Sequence, residues 1–117
     1  MDIFYFLRKV REFERRRLPF IKSLEDRDIV LVIGQAQVRG NPLALKQLLL
    51  SGIAPTATLH RRLTRLVDAG VVDKTFRNGD RRMIELTLPL PVLKTFKGYA
   101  RVLAIAANRS ARSKGVR

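Results

Sequence analysis

The side chains best suited to chemistry with a partner lie in residues 55–69. On a helical wheel Leu59, Leu63, Leu66 and Val67 gather on one side with Gly70 beneath them, the side a core would take. Opposite them fall Ala57, Thr58, Arg61, Thr64, Arg65 and Asp68; Thr56 sits in the first turn, and His60 and Arg62 flank the apolar face. This separation suits a helix entering the major groove of a duplex, where small residues at its start allow close approach. Thr56 and Thr58 have hydroxyls for phosphate oxygens or base edges and methyls for a thymine methyl. Arg61 and Arg65, one turn apart, are placed to grip guanine O6 and N7 in bidentate fashion. The helix N-terminus adds backbone N–H donors for a phosphate. Any solvated helix face carries arginines, so the expectation rests on the pair, the threonines and the surrounding elements together. His60, beside an apolar stripe, fits packing or phosphate contact better than base reading.

Those elements are punctuated sharply. Leu43–Leu50 reads as a short helix, with Pro42 in its first turn. Ser51-Gly52-Ile53-Ala54 makes a tight turn, Pro55 opens the next helix, and Gly70 closes it near Ala69. Two helices joined through a glycine-containing turn form a helix-turn-helix. Val71–Phe76 and Arg81–Leu88 then read as strands around Arg77-Asn78-Gly79-Asp80, since Asn-Gly supplies the positive φ of a tight hairpin turn. Ile84, Leu86 and Leu88 share one face of the second strand. A hairpin directly after a helix-turn-helix is a wing. Its Arg77, Asn78, Arg81 and Arg82 can reach a minor groove, where the potential favours arginine. Alternatively, Asp80 pairs with Arg81 or Arg82 to stiffen the hairpin.

Upstream, Ser23-Leu24-Glu25-Asp26 resembles a capping box and predicts a helix to about Arg39. The β-branched run Ile29–Ile33 is also compatible with a buried strand, but the cap and the length favour a buried helix. Residues 2–17 read as an amphipathic helix with Ile3, Phe6, Leu7, Val10 and Phe13 on one side and Phe4 and Tyr5 beside them. That stripe serves either as core or as a partner surface. A last helix over Val92–Ala107 is apolar on nearly every side in its second half, and a second subunit is the natural cover. The expected dimer surface is therefore Phe4, Phe6, Leu7, Val10 and Phe13 with Tyr99, Val102 and Leu103. Residues 108–117 carry four cations and no acid, and read as a flexible basic tail.

The 117 residues suffice for one domain with one core. The expected division is a single domain over 1–107, with a dimerisation helix in 1–22, a winged-helix core in 23–88 and a C-terminal helix in 89–107, ahead of the tail. The fold class is mainly α with a small β-hairpin (α+β), a winged helix-turn-helix flanked by N- and C-terminal helices. Twenty-four Lys and Arg against ten Asp and Glu give a net charge of +14, a field that attracts nucleic acid first and acidic membrane second. No apolar run approaches a membrane span, and the N-terminus lacks the features of a signal peptide, so a cytoplasmic, nucleoid-associated location is expected. With no cysteine, thiol chemistry is excluded, and with a single histidine besides, no structural zinc site is expected, nor any other metal or cofactor. Nothing groups acids around a nucleophile, Asp26 and Asp28 are explained by a helix start, and no glycine loop cradles a phosphate, so no enzyme is expected.

The sequence resembles the MarR family, the multiple antibiotic resistance repressors, in three stretches. Residues 50–63 are similar to the family's turn and recognition helix, Leu66-Val67-Asp68-Ala69-Gly70-Val71-Val72 to its helix exit, and Asp80-Arg81-Arg82 with Leu86-Thr87 to its wing. The resemblance covers about residues 24–88. It implies a dimeric repressor that binds double-stranded DNA and occludes a promoter. It also implies sensing of small aromatic or oxidant ligands; the absence of cysteine excludes thiol oxidation, and no effector is legible. Two alternatives stand beside it: a weakly specific architectural DNA binder for plasmid, phage or chromosome maintenance, and a winged helix reused for protein interaction.

Overall fold

The computed structural model describes residues 2–115, except for the side chains of Arg81, Ala106 and residues 109–115. The elements run α1 (Ile3–Arg17), α2 (Leu24–Val38), β1 (Leu43–Ala44), α3 (Leu45–Leu49), α4 (Thr56–Asp68), β2 (Asp73–Arg77), β3 (Asp80–Thr87) and α5 (Leu90–Gly115). They divide into two compact units, Phe20–Val92 and Met1–Pro19 with Leu93–Arg117. Among the described residues no helix is long and apolar enough to cross a membrane.

The first unit is the winged helix. Ser23 caps α2 as its sequence predicts: its Oγ accepts the Asp26 N–H at 3.1 Å. The β-branched run is helical, and its burial follows the helical period: Ile29, Val30 and Ile33 are buried while Leu31 is exposed. Gly70 closes α4 with φ +75° in a Schellman arrangement, in which Gly70 N–H reaches the Val67 carbonyl and Val71 N–H the Leu66 carbonyl. Val72 N–H also points back to Leu66. Those two N–H groups are therefore taken by the helix, and β2 begins at Asp73 rather than at the expected Val71. At the hairpin tip Asn78 and Gly79 have φ of 52° and 77°, the pair of positive values expected for Asn-Gly.

The expected helix over Leu43–Leu50 is shorter, and Pro42 lies outside it. Leu43 and Ala44 instead pair antiparallel with Leu86 and Glu85, making a three-stranded sheet of order β1-β3-β2. This third strand covers the open edge of β3. Gln47 in the first turn of α3 then accepts the Ala44 N–H at 2.8 Å. Gln37 of α2 holds the end of the sheet from the other side, accepting the Leu88 N–H at 2.7 Å and donating to the Leu88 carbonyl at 3.2 Å.

In the other unit the two flanking helices pack on each other. The Phe13 and Tyr99 rings meet edge to face at 4.8 Å, and Phe96 stacks on Tyr99 at 5.8 Å. Gly98 permits this approach, since a Cβ there would stand 2.7 Å from the Phe13 ring. The Tyr99 hydroxyl donates to the buried Glu14 carboxylate. The helix α5 starts at Leu90, with Pro91 in its first turn, and continues to Gly115, past the Ala107 end where a flexible tail was expected. No proline or glycine stands between Asn108 and Lys114 to interrupt it.

Candidate nucleic-acid interface

The turn that sets α4 relies on Gly52, whose φ is +78°, and on Ser51, whose Oγ accepts the Ile53 N–H at 3.3 Å. The helix α4 begins after Pro55 with no side-chain cap, so its first-turn N–H groups are left for an outside acceptor. Leu59, Leu63 and Leu66 are buried on one face, as their spacing predicts. Thr56, Ala57, His60, Arg61, Thr64 and Asp68 are exposed, the last five forming a stripe at helical spacing. Thr64 turns its hydroxyl back to the His60 carbonyl at 2.8 Å, leaving Arg61 and His60 as the long side chains of the stripe.

Thr58, Arg62 and Arg65 form a half-buried flank between these faces. Here the structure corrects the expected pairing of Arg61 with Arg65. The Arg65 Nη2 donates to the Asp26 carboxylate and, at 3.0 Å, to the Phe20 carbonyl. Asp26 is 0% exposed, and its Oδ2 also accepts the Lys22 N–H at 3.0 Å. Arg65 therefore ties α4 to the N-terminus of α2 and does not share the outward stripe with Arg61. The capping box marked Asp26 as a helix-start residue; nothing local marked it as a partner for a side chain 39 positions away.

In the wing, Arg77 pairs with Glu85 on β3. Asp80 accepts from the Arg82 backbone N–H at 2.9 Å and from its Nε at 3.4 Å, the stiffening pair foreseen as an alternative. The Arg82 side chain is still 90% exposed, and Asn78 is exposed at the tip. Phe76 pairs with Ile84 but Arg77 with Asp80, so residues 81–83 lie outside the regular ladder. The Arg81 side chain lies outside the described residues.

Order and geometry of these elements match those of solved proteins. A crystal structure of MarR superposes with a TM-score of 0.58 over 95% of this chain and 79% of that one, at 19% identity. The chain has the MarR-like winged-helix fold. A MarR transcription factor from Planctomyces limnophilus is also similar, with a TM-score of 0.45 over 98% of this chain and 91% of that one, again at 19% identity. No family model matches the sequence, and no curated protein matches it. Within this MarR-like fold, α3 and α4 are the helix-turn-helix and β2 and β3 the wing.

Proposed function

We propose that the winged-helix unit binds double-stranded DNA with α4 in the major groove, and that the chain is a non-enzymatic transcriptional regulator acting as a dimeric repressor on the nucleoid. The reading is carried by the exposed stripe of α4: a small, uncapped start at Thr56 and Ala57 followed by His60 and Arg61. Arg61 is the base reader, Thr56 and the first-turn N–H groups hold phosphate, and Asn78, Arg81 and Arg82 approach a minor groove. Thr58 and Arg62 border the contact. Arg65 and Arg77 position it, through Asp26 and Glu85. The fold likeness to MarR supports the regulatory role. Anisotropy titration against duplex from upstream of its own gene, with a scrambled control, tests it. Arg61→Ala is expected to cut discrimination between the two by about 1–3 kcal/mol; equal losses on both would remove Arg61 as a reader.

Dimerisation is assigned to the exposed apolar residues of the helical unit. Phe13 and Tyr99 are satisfied within the chain, whereas Phe4 is 74% exposed and Leu7 and Leu103 about half exposed. Phe6, Val10 and Val102 are half-buried beside them. Phe4→Glu places a charge at the most exposed of these and is expected to sediment as a monomer with unchanged helix content. A variant that remains dimeric would move the interface elsewhere.

A further inference from the structure

The charge of this protein is concentrated away from its helix-turn-helix. Residues 1–19 with 93–117 hold thirteen Lys and Arg against three acids, a net +10 of the +14 total; residues 20–92 hold eleven against seven, a net +4. On α1 the excess is ordered: Arg8, Arg11 and Arg15 recur at i, i+3 and i+7, so they share one face, and all three are exposed. From Arg8 to Arg15 the stripe runs about 10 Å along the helix axis, a length over which one strand of duplex DNA carries about three phosphates.

Intramolecular needs do not account for this stripe. The helix dipole favours Arg15, Arg16 and Arg17 in the last turn, but its influence fades within a turn of either end and gives no reason for Arg8 in mid-helix. Arg11 stands 3.5 Å from Glu14, yet keeps 58% of its side chain exposed. Arg8 and Arg15 make no ion pair among the described residues. Arg11 and Arg15, four apart, repel each other.

We propose that the helical unit is a second binding surface for the phosphate backbone of duplex DNA, with Arg8, Arg11 and Arg15 as its centre. The proposal goes beyond groove contact by α4, and rests on the reading that the chain is a duplex binder. A bilayer fits less well. A helix lying on lipid needs a continuous apolar stripe along its length. The continuous stripe of α1, Phe6-Val10-Phe13, is half-buried to buried, with Phe13 against Tyr99 and Gly98, and the exposed apolar residues Ile3, Phe4 and Leu7 stop after two turns.

The test compares the full chain with its Arg8→Gln/Arg15→Gln variant on scrambled duplex across a salt series. Both residues are exposed and make no ion pair among the described residues, and because Phe4 and Leu7 begin the same face of α1, far-UV circular dichroism and sedimentation check that fold and assembly match wild type. Each phosphate contact contributes about 0.9 to the slope of log affinity against log salt. The variant's slope is expected to be shallower by about 2 for each bound chain, so that wild type loses about tenfold more affinity per chain than the variant between roughly 50 and 200 mM salt. An unchanged slope overturns the proposal. So does Arg8- and Arg15-dependent binding to phosphatidylglycerol vesicles with an unchanged duplex slope, which would make the surface a lipid contact. If the slope falls but wild type shows no preference for upstream over scrambled duplex, the second surface stands and the specific reading by Arg61 fails. If wild type binds no duplex, both fail.

Discussion

Arg65→Ala is expected to lower the free energy of unfolding by about 3 kcal/mol in a urea titration, the lower end of the range for breaking a buried ion pair from one side. The lower end applies because the Arg65 side chain is 32% exposed, so its half of the pair is already partly solvated. Its partner is not. Asp26 is wholly buried, and without Arg65 its carboxyl is left with only the Lys22 N–H on Oδ2, while Oδ1 has no partner among the described residues. The reverse deletion is expected to cost less. Asp26→Ala removes a buried carboxylate together with the need to neutralise it, and the freed guanidinium keeps the Phe20 carbonyl and reaches water. A loss of about 1–2 kcal/mol, comparable to that of a helix cap, is expected there. The order of the two variants is thus diagnostic. If Arg65 instead read bases, as its position on a helical wheel suggests, Arg65→Ala would leave the urea midpoint unchanged and remove discrimination between duplexes.

Why the wheel misplaces Arg65 is instructive about what a sequence can show. Features fixed by local chemistry are legible: Ser23 before α2, Gly70 after α4, and Asn78-Gly79 at the hairpin each sit where predicted, because a cap or a positive φ involves only a few neighbouring residues. The apolar face of α4 is legible for the same reason, since Leu59, Leu63 and Leu66 repeat at the helical period. Features that depend on a distant element are not. A wheel gives the angle of Arg65 about its own axis but not what α2 brings to that flank, and a long guanidinium arm reaches whichever side holds a carboxylate. The two-residue β1 has no periodicity to read; only pairing with Leu86 and Glu85, more than forty residues on, makes it a strand. Gln37 is likewise an unremarkable polar residue of α2 until Leu88 is placed beside it. The helix α5 runs past the expected Ala107 for a different reason. Cations without acids read as a solvated tail, yet Ala, Arg, Ser and Lys are all compatible with helix, and no proline interrupts them.

The two outer faces of α4 therefore have separate tasks: Arg61 and His60 face outward, while Arg65 fixes the helix against α2. On a helical wheel the two merge. The distinction matters for testing the proposed DNA contact, because Arg61 can be exchanged without touching the fold and Arg65 cannot.

Leu66→Ala should show the opposite signature to Arg61→Ala. Leu66 is 0% exposed on the core face of α4. Alanine retains the backbone carbonyl that accepts the Val71 and Val72 N–H groups, and it is the best helix former, so neither the helix nor its Schellman exit is lost directly. What is lost is packing: the transfer free energy of the removed isopropyl group, plus the cost of whatever cavity the surrounding core cannot close. Together these amount to about 2–5 kcal/mol. The urea midpoint should fall accordingly with the slope unchanged. Leu24→Ala, at a 75% exposed position of α2, should stay within about 0.5 kcal/mol of wild type. The molecules of Leu66→Ala that remain folded still present Thr56, His60 and Arg61 on the outward stripe. Once the binding curve is corrected for the unfolded fraction, the ratio of affinities for upstream and scrambled duplex should therefore match wild type. A variant that is destabilised and also loses this ratio would mean that recognition depends on the exact seating of α4 in its core, and that the faces of the helix do not act independently.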